Sequence, residues 1–192
     1  MAKRNTRQNF ILTAGKIFNQ YGFRKTTMDD IAFAAGKGKS SLYYYFKNKE
    51  EVFEAVVDYE ASQLQSEIFR VMEEYDSARE KLRKYIVHRM KRFAARGNLY
   101  EALNDDLLLT FSFIEKIRNY YRDWELKVIG EILQTGIDRK EFKVVNIEFL
   151  SNALLTAMIG FEMPLLQKTE SDIEFENKIN DVINMIFYGI CT

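Results

Sequence analysis

Apolar side chains recur along this chain at helical spacing. Phe10, Ile11, Ala14, Ile17, Phe18 and Tyr21 fall at i, i+1, i+4, i+7, i+8 and i+11, which predicts one helix with a single apolar face. Gly22 follows as its C-terminal cap. Thr27-Met28-Asp29-Asp30 then reads as a capping box ahead of Ile31, Ala32 and Ala35, and Gly36 closes that second, short helix. A third short helix starts at Lys39 and carries Ser40, Ser41, Leu42, Tyr43, Tyr44, Tyr45 and Phe46. Asn48 is a good N-cap for a fourth at Lys49-Glu50-Glu51. Val52, Phe53, Val56, Val57, Leu64, Ile68 and Met72 continue that fourth helix without a breaker, for about 35 Å at 1.5 Å per residue.

Further helices are expected near residues 77–96, 99–109, 112–138, 146–166 and 172–190, separated by Arg96-Gly97-Asn98, by Asp138 to Val145 and by Gln167 to Ser171. No strand, internal repeat or low-complexity segment stands out. The pattern therefore predicts an all-α chain in which two short helices joined by a glycine turn form a helix-turn-helix within a three-helix N-terminal head. With one proline and nine glycines there are few residues that favour turns, which fits long helices.

Composition narrows the chemistry. The chain has 192 residues, enough for a head joined to a larger body, and its only cysteine and histidine are Cys191 and His88. That excludes an intrachain disulfide and leaves little raw material for a metal cluster or a histidine-assisted nucleophile; counts alone do not dismiss carboxylate chemistry, but no metal, no cofactor and no enzymatic activity are expected. No apolar signal segment follows the basic residues of Met1 to Asn9, and Phe149 to Leu166 carries Asn152, Thr156 and Glu162. A cytoplasmic protein without a membrane span is the expectation.

Charge is unevenly distributed although it sums to zero. Residues 1–50 hold ten Lys or Arg against three Asp or Glu, a net of +7, which leaves −7 for the remainder. A basic head on an acidic body suits a phosphate-binding module, and equally a solvated charged face. The third helix decides between them. At about 100° per residue, Leu42 and Phe46 share an inward face, while Ser40, Ser41 and Tyr44, with Tyr43 beside them, point away. Those hydroxyls can reach base edges and phosphates from a major groove, with Lys37, Lys39 and Lys49 around them. Lys49 lies in the first turn of its helix, where free N–H groups already favour an anion.

These residues resemble the DNA-binding signature of the TetR family of bacterial regulators. The likeness rests on Thr26-Thr27-Met28-Asp29-Asp30-Ile31-Ala32, Ala34-Ala35-Gly36, Ser41-Leu42-Tyr43-Tyr44-Tyr45-Phe46 and Lys47-Asn48-Lys49-Glu50-Glu51, and spans about residues 7–55. It implies a DNA-binding domain over 1–50, with the motif at about 27–46 and the third helix as reader, and a ligand-binding and dimerisation domain over 51–192. It also implies that Thr27, Lys39, Ser41, Tyr43, Tyr44 and Lys49 occupy DNA-contacting positions. The chain departs from the family where Lys37 and Gly38 replace a small apolar residue and a serine, which bears on operator preference.

For the body, the resemblance implies an effector pocket among the middle helices and an intersubunit four-helix bundle. Met90, Phe93, Phe111, Ile117, Tyr121 and Trp124 are the candidate pocket residues, and a hydrophobic or aromatic small molecule is the expected effector. Leu150, Leu154, Ala157 and Phe161, with Ile179, Ile183, Ile186 and Phe187, are the candidate homodimer face. The function expected is that of a repressor released from a double-stranded DNA operator when effector binds. A helical protein-interaction module that has no operator is the alternative.

Overall fold

The structure is a computed structural model that describes residues 2–94, 98, 112–143, 145–166 and 172–190. Among the described residues the chain is all-helical. The elements are α1 (Ala2–Tyr21), α2 (Met28–Ala34), α3 (Lys39–Tyr45), α4 (Lys49–Glu74), α5 (Ala78–Ala94), α6 (Ser112–Asp138), α7 (Ile147–Leu166) and α8 (Asp172–Ile190). The helix expected at 99–109 lies outside the described residues. No described helix is long and apolar enough to cross a membrane. The chain divides into two compact units, Met1–Gln63 with Arg96–Arg118, and Leu64–Ala95 with Asn119–Thr192, so α4 and α6 each begin in the first and end in the second.

In the first unit α1 buries Phe10, Ile11, Ala14 and Phe18, as its spacing requires. Tyr21 departs from that face and is exposed, because it sits at the last residue of the helix beside Gly22, whose φ of 78° turns the chain away. Phe23 then folds back onto Phe18 and Phe53, with ring centroids 5.8 and 4.9 Å apart, while Phe18 and Phe53 meet edge to face at 5.2 Å. This aromatic cluster fixes the start of α4 against α1. Asn48 caps α4 by accepting the Glu51 N–H at 2.8 Å, and the Glu51 carboxylate accepts the Lys47 N–H at 2.8 Å.

In the second unit α5 packs against α7 and α8. Leu82, Ile86, Ile129, Ile132, Leu133, Leu155, Met158 and Ile183 form its core. A charged group is buried there that the hydrophobic pattern does not reveal. Arg89, 1% exposed, donates from Nε and Nη2 to the two carboxylate oxygens of Glu125 at 2.5 and 3.3 Å. Tyr85 donates its hydroxyl to the same carboxylate at 2.8 Å. Burial, and then the Glu125 charge, hold the Tyr85 phenol well above its ordinary pKa, so it remains a donor.

Candidate nucleic-acid interface

The helix-turn-helix is built by local hydrogen bonds that its sequence specifies. Thr27 is the N-cap of α2: its hydroxyl oxygen accepts the Asp30 N–H at 3.2 Å, and Asp30 accepts from the Thr27 N–H at 2.9 Å. The Thr27 hydroxyl also donates to Asp30 at 2.6 Å, so the side chain expected to meet DNA first serves as a cap. These bonds with Thr27 hold the Asp30 carboxyl below its usual pKa. At the far end Gly36 takes φ 63°, its N–H reaches the Phe33 carbonyl and the Lys37 N–H reaches the Ala32 carbonyl, both at 3.0 Å. That pair of bonds is a Schellman stop, in which Lys37 supplies the second donor through its backbone. Its side chain is exposed.

Gly38 starts α3 in extended conformation without a side-chain cap, as its missing side chain dictates. Leu42 and Phe46 are buried, and Tyr45 leans on Phe10 with centroids 6.0 Å apart. The opposite face is open: Ser40 is exposed, Ser41 half-buried, Tyr43 45% exposed and Tyr44 67% exposed. Tyr44 stands edge-on to Tyr45 at 4.9 Å, which orients its ring without covering it.

The lysines are not equivalent. Lys39 is exposed, but its ammonium sits 2.7 Å from Oδ1 and 3.0 Å from Oδ2 of Asp29 and 6.0 Å from the Tyr43 ring. The Asp29 hydrogen bond and charge raise its pKa. Lys49 points back at the loop after α1, donating to the Phe23 carbonyl at 2.8 Å and the Arg24 carbonyl at 3.4 Å, with its charge 4.4 Å above the Phe23 ring. The first-turn anion site expected around it is therefore built on an ammonium already held by the protein. Asp29 was not legible as the partner of Lys39, because the two lie ten positions apart across a turn and share no helical face. Nor was Asn9, whose amide donates to the Ala35 carbonyl at 3.3 Å and ties α1 to the turn.

The body residues are distributed differently from the expectation. Met90 lines a small apolar cavity of about 10 Å³ with Ile86, Met158, Phe161, Ile179 and Val182. The Tyr121 and Trp124 rings meet in a tilted contact at 5.6 Å and do not line it, while Ile117 is buried in the first unit. Phe111 and the side chain of Phe93 lie outside the described residues, as does the side chain of Ile186. The candidate dimer residues are placed as follows within the single chain. Leu154, Ile179, Ile183 and Phe187 are buried within their own chain, and Leu150, Ala157 and Phe161 are half-buried. On the same two helices Phe149 at 70%, Met185 at 63% and Tyr188 at 92% exposure mark an outward stripe.

Comparison with known proteins identifies what the chain is similar to. The family model described as bacterial regulatory proteins, tetR family, matches residues 11–56. A transcriptional regulator of Cytophaga hutchinsonii, solved by crystallography, is 32% identical over 95% of this chain and 97% of its own, with a TM-score of 0.80. The HTH-type regulator YhgD of Bacillus subtilis is 47% identical over 51 residues, 26% of this chain and only 27% of its own length. The icaADBC negative transcriptional regulator IcaR of Staphylococcus aureus is 22% identical over 187 residues, 88% of this chain and 92% of its own.

Proposed function

The chain belongs to the TetR family of bacterial regulatory proteins and is a transcription regulator, and on that premise we propose that it is a repressor, acting in the cytoplasm as a homodimer, that leaves its operator when a small apolar molecule binds the second unit. The observation that carries this reading is the outward face of α3, where Ser40, Tyr43 and Tyr44 present hydroxyls on a helix whose inward residues, Leu42 and Phe46, are locked in the core. A helix of this size fits a major groove, and its hydroxyls can both donate to and accept from base edges. Repression is favoured by the likeness to IcaR, which is named as a negative regulator.

One reading helix contacts few base pairs, so two copies are needed to reach half-sites about 34–36 Å apart or a multiple of that. The outward stripes of α7 and α8, with Phe149, Ala153 and Gly160 on one and Met185 and Tyr188 on the other, are apolar enough to pair across a two-fold axis. The cavity lined by Met90 and Met158 is the seed of the effector site. Its volume of about 10 Å³ is far below the roughly 300 Å³ of ordinary ligand pockets, so effector binding selects a much more open arrangement of α5, α7 and α8. Because α4 and α6 run from one unit into the other, their displacement reaches the head, and effector and operator affinities become reciprocally coupled.

Selection of bound sequences from random duplex tests the core of this reading. An enriched inverted repeat bound by a dimer, with affinity that falls as salt rises, is the expected result. Failure to enrich any sequence would overturn it in favour of a protein-binding head.

A further inference from the structure

The ion pair between Asp29 and Lys39 has a bearing on specificity. Asp30 alone closes the capping box of α2, so Asp29 is not needed there, and both of its oxygens are turned to the Lys39 ammonium at 2.7 and 3.0 Å. A carboxylate that holds this ammonium keeps it from the phosphates of any duplex. Lys39 is the first residue of α3, the end of a reading helix that contacts base edges, and a lysine there can bind the O6 and N7 of guanine.

We propose that Asp29 is a specificity-determining residue that acts through Lys39: it withholds the ammonium from phosphates of unrelated sequence and yields it to a guanine edge at one operator position. This rests on the DNA-binding reading above. The pair suits the exchange because both partners are largely exposed, 58% and 63%, and such pairs are held weakly enough for a well-placed acceptor to compete. The Tyr43 ring, 6.0 Å from the ammonium, keeps the freed lysine near the face that reads bases. Discrimination here comes from withholding the ammonium from the wrong duplex as much as from offering it to the right one.

The test uses the full chain, a selected operator and a random duplex of equal length, titrated over a range of salt. Asp29→Asn should tighten binding to random duplex and steepen its log–log salt slope by about 0.9, one further phosphate contact. The operator gains less, so the ratio of operator to random affinity should fall by about three- to tenfold. Lys39→Gln should weaken the operator and leave the random-duplex slope unchanged. In the double variant the slope should return to that of Lys39→Gln. If the slope stays steep in the double variant, Asp29 acts by its own charge and the proposal is overturned. An unchanged slope in Asp29→Asn overturns it as well, as would an equal loss on both duplexes with a lowered Tm, the mark of a merely structural pair. A parent protein that cannot tell operator from random duplex overturns the DNA-binding reading itself and this inference with it, whereas a discriminating parent with an unresponsive Asp29→Asn variant overturns only the inference.

Discussion

Phe142 covers Gly136 so closely that a methyl group added to the glycine would lie inside contact distance of ring atoms Cγ and Cε2, at 2.7 and 2.6 Å. The Gly136 carbonyl accepts the N–H groups of Glu141 at 2.8 Å and Phe142 at 3.1 Å, so the ring is pinned by its own backbone as well as by Phe187, stacked at 6.5 Å. Gly136→Ala must push this ring into a filled core. The expected loss is about 1–3 kcal/mol, the usual cost of overpacking, read as a lower urea midpoint at unchanged m. A midpoint equal to the parent would mean that the turn after α6 yields freely.

The second unit should be sensitive to single changes in its buried ion pair and tolerant of paired ones. Glu125→Gln leaves Arg89 charged with a weaker partner, and Arg89→Met leaves Glu125 charged without its guanidinium; each should destabilise by about 3–5 kcal/mol. Arg89→Met with Glu125→Leu removes both charges and should recover much of that loss. A loss in the double variant equal to the sum of the two single losses, measured by denaturant unfolding, would show that the ion pair is not energetically coupled.

Much of the head was legible from its residues because its determinants are local. Thr27 to Asp30 are consecutive, Gly36 must take a positive φ to stop α2, and the inward placement of Leu42 and Phe46 follows from helical spacing alone. The body was legible only as a set of helices. Which stripe of α7 and α8 faces inward depends on what packs against each helix, and Leu154 and Ile183 carry the same chemistry whether they fill a core or an interface. The Arg89–Glu125 pair was hidden for a related reason: its members lie 36 positions apart, and nothing local marks an arginine as buried.

Acid should loosen the start of α5 through Glu141. Its carboxylate accepts the Ser77 hydroxyl at 2.8 Å and the Arg79 N–H at 3.1 Å. Desolvation raises its pKa, but the Arg79 N–H, the Ser77 hydroxyl, the Ala78 N–H and the Arg139 charge outweigh that and leave it lowered. A carboxyl with a lower pKa in the folded state stabilises the fold above its unfolded pKa, and that contribution disappears as pH falls through the folded value. Glu141→Gln should therefore show a flatter fall in Tm below about pH 5 than the parent. Parallel curves for parent and variant would exclude Glu141 as a source of acid sensitivity.

The outward stripes of α7 and α8 make a prediction about assembly. Tyr188→Glu or Phe149→Glu places a charge on a surface that is exposed in the single chain, so the fold should tolerate it. At the two-fold interface the same charge is repeated on both copies and must be desolvated, so sedimentation should show dissociation to monomers at concentrations where the parent is dimeric. A variant that stays dimeric places the interface elsewhere.

Tyr44 and Lys49 should separate two kinds of contribution to DNA binding. Tyr44 is exposed on the reading face, so Tyr44→Ala should lower operator affinity while leaving random-duplex affinity close to the parent. Lys49 is fastened to the Phe23 and Arg24 carbonyls and stacked over the Phe23 ring, so Lys49→Met removes both a charge near the phosphates and a brace for the loop that positions α2. Affinity for all duplexes should fall, with a shallower salt slope and a lower Tm. Arginine restores charge but not the compact ammonium that fits between two carbonyls, so Lys49→Arg should recover the slope more fully than the Tm. If Lys49→Met lowered affinity with an unchanged Tm, the carbonyl contacts would be incidental and phosphate contact would be its whole role.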